Sequence, residues 1–157
     1  MNSFAPYEKP SRHKPAQGVH IDFNQPTIVF VTACTKDRLP WLACDEAHRL
    51  LTEAWRRASA WLVGNYVLMP DHLHLFAAPR DLQFTIERWM TFLKSQFSKS
   101  HRHADWLWQT GAFHHRLRRD ENYSQKWIYV QENPVRAGLV KDIGQWPYQG
   151  TIHELRW

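Results

Sequence analysis

Hydrophobic and polar positions follow two different periods along this chain, and each change of period marks an element. Thr27-Ile-Val-Phe-Val-Thr-Ala-Cys34 is a β-branched, apolar run of strand length and reads as a buried strand. Asp45 can cap a helix. Behind it Ala47, Leu50, Leu51, Ala54, Trp55 and Ala58 recur at helical spacing, with Arg49, Glu53 and Arg56 off the stripe. Trp61 to Met69 reads as a second strand and His72 to Ala78 as a third, joined by the turn signal Pro70-Asp71 into a hairpin. Ile86, Trp89, Met90, Leu93 and Phe97 mark a second amphipathic helix, and Phe113 to Leu117 a fourth strand. Asp120 caps a third helix, which stops at Asn133-Pro134 because a residue before proline resists the α conformation. The order β-α-β-β-α-β predicts an α+β, ferredoxin-like antiparallel sheet with helices on one face, followed by a C-terminal helix. From Val135 to Trp157 the apolar clusters are short and predict no definite element.

Composition narrows the class. A chain of 157 residues with 43% hydrophobic and 22% charged positions suits one globular core. Residues 1–26 differ from the rest: Pro6, Pro10, Pro15, Gly18 and Pro26, with Lys9, Arg12, His13 and Lys14, predict an extended basic arm. Residues 27–157 form the single domain. Lys and Arg number 20 against 15 Asp and Glu, a net charge of +5 that favours a polyanionic partner. Nine tryptophans provide flat faces for a core or for unpaired bases. The two cysteines, Cys34 and Cys44, form no CxxC pair, which argues against a four-ligand zinc site. No signal peptide, membrane-length apolar run or phosphate-binding GxxxxGK[ST] loop is present, so a cytoplasmic protein without a membrane partner or nucleotide cofactor is expected.

His72 and His74 are two apart on a predicted strand and therefore project to one face, with Leu73 turned to the other. Two neutral imidazoles side by side can share a divalent ion. They can equally be two satisfied histidines on a half-buried strand, and His101-Arg102-His103 repeats the spacing in a basic, polar stretch. In the third helix Tyr129 and Asn133 stand at i and i+4 and share a helix face. Asn133 offers a carboxamide oxygen as a third ligand. Tyr129, one turn away, is a candidate nucleophile toward a phosphate that a metal polarises. A free phenol ionises only near pH 10, so such a nucleophile needs electrostatic help from its site. Tyr123 is its rival. It lies six residues away, about 240° around the helix axis, so both cannot face one site.

Taken together, Tyr66-Val-Leu-Met-Pro-Asp-His-Leu-His-Leu75 and Tyr129-Val-Gln-Glu-Asn-Pro-Val-Arg-Ala-Gly-Leu-Val140 resemble a known group. The chain is similar to the HUH-type single-tyrosine transposases, and most closely to the REP-associated tyrosine transposases. The likeness runs from about Ile28 to Tyr148 and includes Trp108-Gln109, Phe113, Arg116, the Asp120-Glu-Asn-Tyr123 helix start and Trp146-Pro-Tyr148. It implies an HUH endonuclease fold with a catalytic C-terminal helix. His72 and His74 match the HUH pair, Tyr129 the nucleophile, and Asn133 the residue completing a Mg²⁺ or Mn²⁺ site. It also implies cleavage of single-stranded, palindromic hairpin DNA through a 5′-phosphotyrosine, in DNA transposition or recombination. A monomer is implied, although insertion-sequence relatives are dimers. The alternatives are a non-catalytic hairpin-DNA binder that retains the fold and a metal-dependent hydrolase using water. For DNA contacts the basic run His114-His-Arg-Leu-Arg-Arg119 nominates Arg116, Arg118 and Arg119, with Lys94, Lys99, Arg102 and Arg136 behind them.

Overall fold

A computed structural model describes residues 27–117 and 120–156. The predicted N-terminal arm, and Arg118 and Arg119, lie outside these residues. Within the described residues five antiparallel strands form one sheet in the order β4-β1-β3-β2-β5. They are β1 (Ile28–Cys34), β2 (Trp61–Leu68), β3 (His72–Pro79), β4 (Phe113–Leu117) and β5 (Gln149–Thr151). The first four stand in ferredoxin-like order, as the βαββαβ pattern predicts.

Every residue of β1 is buried, because this central strand is covered on both faces. Val29, Val31 and Ala33 point to the larger core, built with α1 (Asp45–Arg57) and α2 (Ile86–Ser100). Ile28 and Phe30 point to the opposite face, where Val67, Met69, Phe76 and Leu117 meet Val130 of α3 (Asp120–Gln131). Two helices therefore pack on one face, and the C-terminal helix closes part of the other. Trp55, Trp61, Phe76 and Phe97 are the bulkiest fully buried side chains.

Three boundaries differ from the sequence expectation. Asp45 is the first residue of α1, and Cys44 occupies its cap position without a side-chain bond; Asp45 and Glu46 instead meet the helix dipole in the first turn. α3 ends at Gln131, and a short α4 (Asn133–Arg136) follows at once. Pro134 sits in the first turn of α4, where its missing N–H breaks no helical bond, so the chain continues in near-helical conformation instead of stopping. The tail, which predicted nothing definite, supplies β5 on the edge of β2 and the buried Trp146, whose indole N–H donates to Leu68 O at 2.9 Å. Among the described residues no helix is long and apolar enough to cross a membrane.

Candidate active site

Antiparallel register sets the floor of the site. Phe30, Thr32 and Cys34 of β1 stand opposite Phe76, His74 and His72 of β3, and Phe113 of β4 stands opposite Thr32. Directly opposed residues share a face, so these side chains form one patch on the side away from α1 and α2. α3 covers the Phe76 end of that patch. The Tyr123 ring meets Phe76 edge-on at 4.8 Å between centroids, Trp127 does so at 6.2 Å, and Val130 is buried beside them. The histidine end stays open beneath the last turn of α3 and the start of α4. There Lys126, Tyr129, Val130 and Asn133 wall a cleft of about 330 Å³, whose floor holds Phe30, Thr32, Cys34, His72, His74 and Phe113 and whose rim carries Arg38.

The two histidine rings lie 4.9 Å apart, nearly perpendicular. His72 Nδ1 is 2.7 Å from Asp71 Oδ1. A carboxylate can only accept, so Nδ1 carries the proton and Nε2 keeps its lone pair. His74 Nδ1 pairs with Thr32 Oγ1 at 2.8 Å, a hydroxyl that serves as donor or acceptor. Burial pushes the His72 imidazole below its ordinary pKa, only partly opposed by Asp71. Burial pushes His74 much further down, helped by the charges of His72, Lys126, Arg136 and Arg38. Both rings are therefore neutral at neutral pH, the form that binds a metal. Burial alone would raise the Asp71 carboxyl, but hydrogen bonds from His72 and from Arg38 Nε, at 2.9 Å, hold it below its usual value.

Among the described residues no three His, Cys, Asp or Glu side chains are grouped to hold an ion. The histidine pair thus needs an oxygen donor of another kind. Asn133 lines the same cleft, and its Oδ1 accepts from Arg136 Nη2 at 2.6 Å, which leaves one lone pair. Two imidazole nitrogens and an amide oxygen fit an ion such as Mg²⁺ or Mn²⁺ and leave positions for water and phosphate.

The four residues singled out from sequence, His72, His74, Tyr129 and Asn133, line one cleft. Tyr123 does not. Its hydroxyl accepts from Asn65 Nδ2 at 2.9 Å, and burial raises its pKa despite that bond, so it serves the core beneath α3. The nominated DNA-contact residues scatter. Arg136 stacks its guanidinium 4.0 Å over the Tyr129 ring. Arg116 stands opposite Val29 and so faces the α1/α2 side, away from the cleft. Lys94 Nζ donates to the carbonyls of Gln109 and Gly111 and ties down that turn. Lys99 and Arg102 are exposed at the end of α2 and just beyond it. Of the aromatic side chains, Trp106 stacks on Trp41 and His103, while Phe113 is 41% exposed at the cleft.

Sequence reading missed Thr32, Arg38, Asp71 and Lys126. Asp71 was legible as the neighbour of His72, but it also satisfies a turn. Lys126 precedes Tyr129 by three, a same-face spacing as informative as the one that picks out Asn133. Thr32 and Arg38 reach the cleft only through strand pairing and a turn, for which no local pattern exists.

No protein-family model matches the chain. The REP-associated tyrosine transposase of Escherichia coli (strain K12) is 29% identical over 102 residues, which cover 62% of this chain and 58% of the relative. A protein of Haemophilus influenzae, provisionally given the same family name, is 25% identical over 105 residues, 57% of this chain and 58% of its own length. The match thus spans 58% of the length of either curated relative. Among solved structures, a REP-associated tyrosine transposase bound to a REP hairpin aligns with a TM-score of 0.65 over 79% of this chain and 75% of that one, at 22% identity. The chain is thus similar in sequence to REP-associated tyrosine transposases and shares the fold of a solved one.

Proposed function

We propose that this chain cuts single-stranded DNA beside a hairpin by transesterification, with Tyr129 as nucleophile and with His72, His74 and Asn133 as ligands of a Mg²⁺ or Mn²⁺ ion. The observation that carries this reading is the convergence of residues from β3 and from the α3–α4 segment on one cleft. The phenol oxygen of Tyr129 attacks the scissile phosphorus while the bond from phosphorus to the 3′ oxygen breaks. The phenol proton is lost to the surroundings, and the departing 3′ oxygen takes one up. The products are a 5′-phosphotyrosine and a free 3′-OH. One phosphate ester replaces another, so rejoining needs no nucleotide cofactor. A bound divalent ion would supply Lewis-acid stabilisation of the phosphoryl oxygens.

The protein's own groups account for the rest. The neutral imidazoles of His72 and His74 offer nitrogen lone pairs, and Asp71 fixes which nitrogen of His72 does so. Arg136 holds Tyr129 and Asn133 in mutual register by stacking on one and donating to the other. A hairpin is proposed as substrate because the structurally similar transposase is bound to one. Phosphates of its stem would meet basic surface residues, among them Lys99 and Arg102.

The test is covalent capture. Protein, a labelled single-stranded hairpin oligonucleotide and Mn²⁺ are expected to give a denaturant-resistant adduct in the wild type and in Tyr123→Phe, and none in Tyr129→Phe. An adduct that survives Tyr129→Phe would sink the assignment of the nucleophile. Hairpin binding without any adduct in Mg²⁺ or Mn²⁺ would leave a non-catalytic DNA binder, and cleavage without a protein-linked product would point to hydrolysis by water.

A further inference from the structure

Among the described residues two cationic side chains line the cleft, Arg38 and Lys126, and their circumstances differ. Arg38 already has a counter-charge, donating from Nε to Asp71 and from Nη1 to Cys34 Sγ. Lys126 projects from α3 one turn before Tyr129, and among the described residues its ammonium has neither a carboxylate nor a hydrogen-bond acceptor. Its recorded neighbours are two rings, Phe30 with Nζ 4.7 Å from the centroid and Tyr129 at 5.9 Å. The residue is half-buried, and burial pushes its ammonium below the ordinary lysine pKa.

A charge removed from water is ordinarily paired, because desolvation is costly without a counter-charge. Aromatic faces compensate only in part. The side chain is flexible and could reach solvent, yet it lies across the floor toward the tyrosine. That arrangement suits a cation whose counter-ion arrives with the substrate. An anion paired with that ammonium would lie in the cleft that Tyr129 also lines.

We infer that Lys126 is a catalytic residue that receives a non-bridging oxygen of the scissile phosphate. The inference rests on the transesterase reading above. The ammonium donates a hydrogen bond to that oxygen, and its charge opposes the negative charge that accumulates on phosphorus as the phenol attacks. No proton transfer by Lys126 is required. Pre-placing the cation in a partly dry cleft avoids reorganisation at the moment of reaction, at the expense of stability in the substrate-free protein.

That expense gives the test a signature no structural lysine would show. Lys126→Met keeps the stem and deletes the charge. In metal-free protein it is expected to melt at the same temperature as the wild type or higher, whereas a lysine serving the fold would lower the melting temperature when replaced. Inorganic phosphate is expected to raise the melting temperature of the wild type and not that of Lys126→Met. With Mn²⁺ and hairpin DNA, adduct formation in Lys126→Met is expected to slow by roughly 10²- to 10³-fold, the loss typical of one transition-state donor. Lys126→Arg is expected to recover part of the rate. A Lys126→Met protein that forms adduct at the wild-type rate, or that is less stable and keeps the phosphate shift, overturns the inference. If the wild type forms no adduct, the transesterase reading fails, and the phosphate arm still decides whether Lys126 binds an anion.

Discussion

Asp71 accepts from two donors at once, His72 Nδ1 on one oxygen and Arg38 Nε on the other. Its neighbours on both sides of the backbone were readable in the sequence, Pro70 as a turn former and His72 as half of a same-face pair. What was not readable is that one carboxylate serves both a histidine and an arginine 33 residues upstream. Side-chain identity and i, i+2 or i, i+4 spacing carry local information, and that is enough to put His72 with His74, and Tyr129 with Asn133, on shared faces. Partnerships made across the sheet need the register, which single residues do not encode. The outer carboxylate matters if His72 binds metal, because it fixes the tautomer and raises ligand basicity. Asp71→Asn keeps the shape but removes the charge. It is expected to weaken Mn²⁺ binding roughly 10- to 100-fold, followed as free Mn²⁺ by electron paramagnetic resonance. Unchanged affinity would argue that His72 does not hold the ion.

Among the elements, β1 to β4 and the first two helices were legible because each carries a clear period or an unbroken apolar run. β4 shows the limit of that legibility. Its alternation is visible, but whether Arg116 or His115 meets the site depends on which parity pairs with Phe30. The register gives that place to His115 and turns Arg116 toward α2. β5 was not legible, since three residues on a sheet edge have too few apolar positions to show a period. The position of α3 depends on Phe76, a strand residue fully buried between Phe30 and the rings of Tyr123 and Trp127. Truncating it leaves a cavity under the helix that carries Tyr129. Phe76→Ala is expected to cost about 3 to 5 kcal/mol in urea unfolding. Cleavage should fall more than DNA binding in the fraction that stays folded, because α3 loses its seat while the α1/α2 core is untouched. A loss under 1 kcal/mol, roughly the scale of a surface substitution, would mean that α3 is held by other contacts.

At the scale of the whole molecule, the net charge of +5 pointed to a polyanion, but it did not say where the charge would sit. The cleft gathers Arg38 and Lys126, with Arg136 stacked on Tyr129 behind it, and the carboxylate closest to the histidines, Asp71, is already bonded to both His72 and Arg38. The histidines give the fold a pH dependence that composition alone left open, because ten histidines in solution would titrate together near 6.5. In the folded protein His48, His72, His74, His101 and His115 all have lowered pKa values, with burial as the first cause in each. The unfolded chain takes up protons near pH 6.5, and the native state takes them up only at lower pH. Between those values the unfolded state binds more protons, so stability rises with pH across that window. The contribution is whole above about 6.5 and is lost as pH falls through the unfolded value toward the lowered native ones. The lowered carboxyl of Asp71 acts in the same direction, but at and below the ordinary aspartate range, outside the histidine window. Metal-free protein is therefore expected to melt at a lower temperature at pH 5.5 than at pH 7.5. His74 is pushed down furthest, so His74→Gln should shrink that difference, whatever it does to the absolute melting temperature. A melting temperature that is flat or rises on acidification, or an acid sensitivity unaltered in His74→Gln, would show that the histidine pair does not set this dependence.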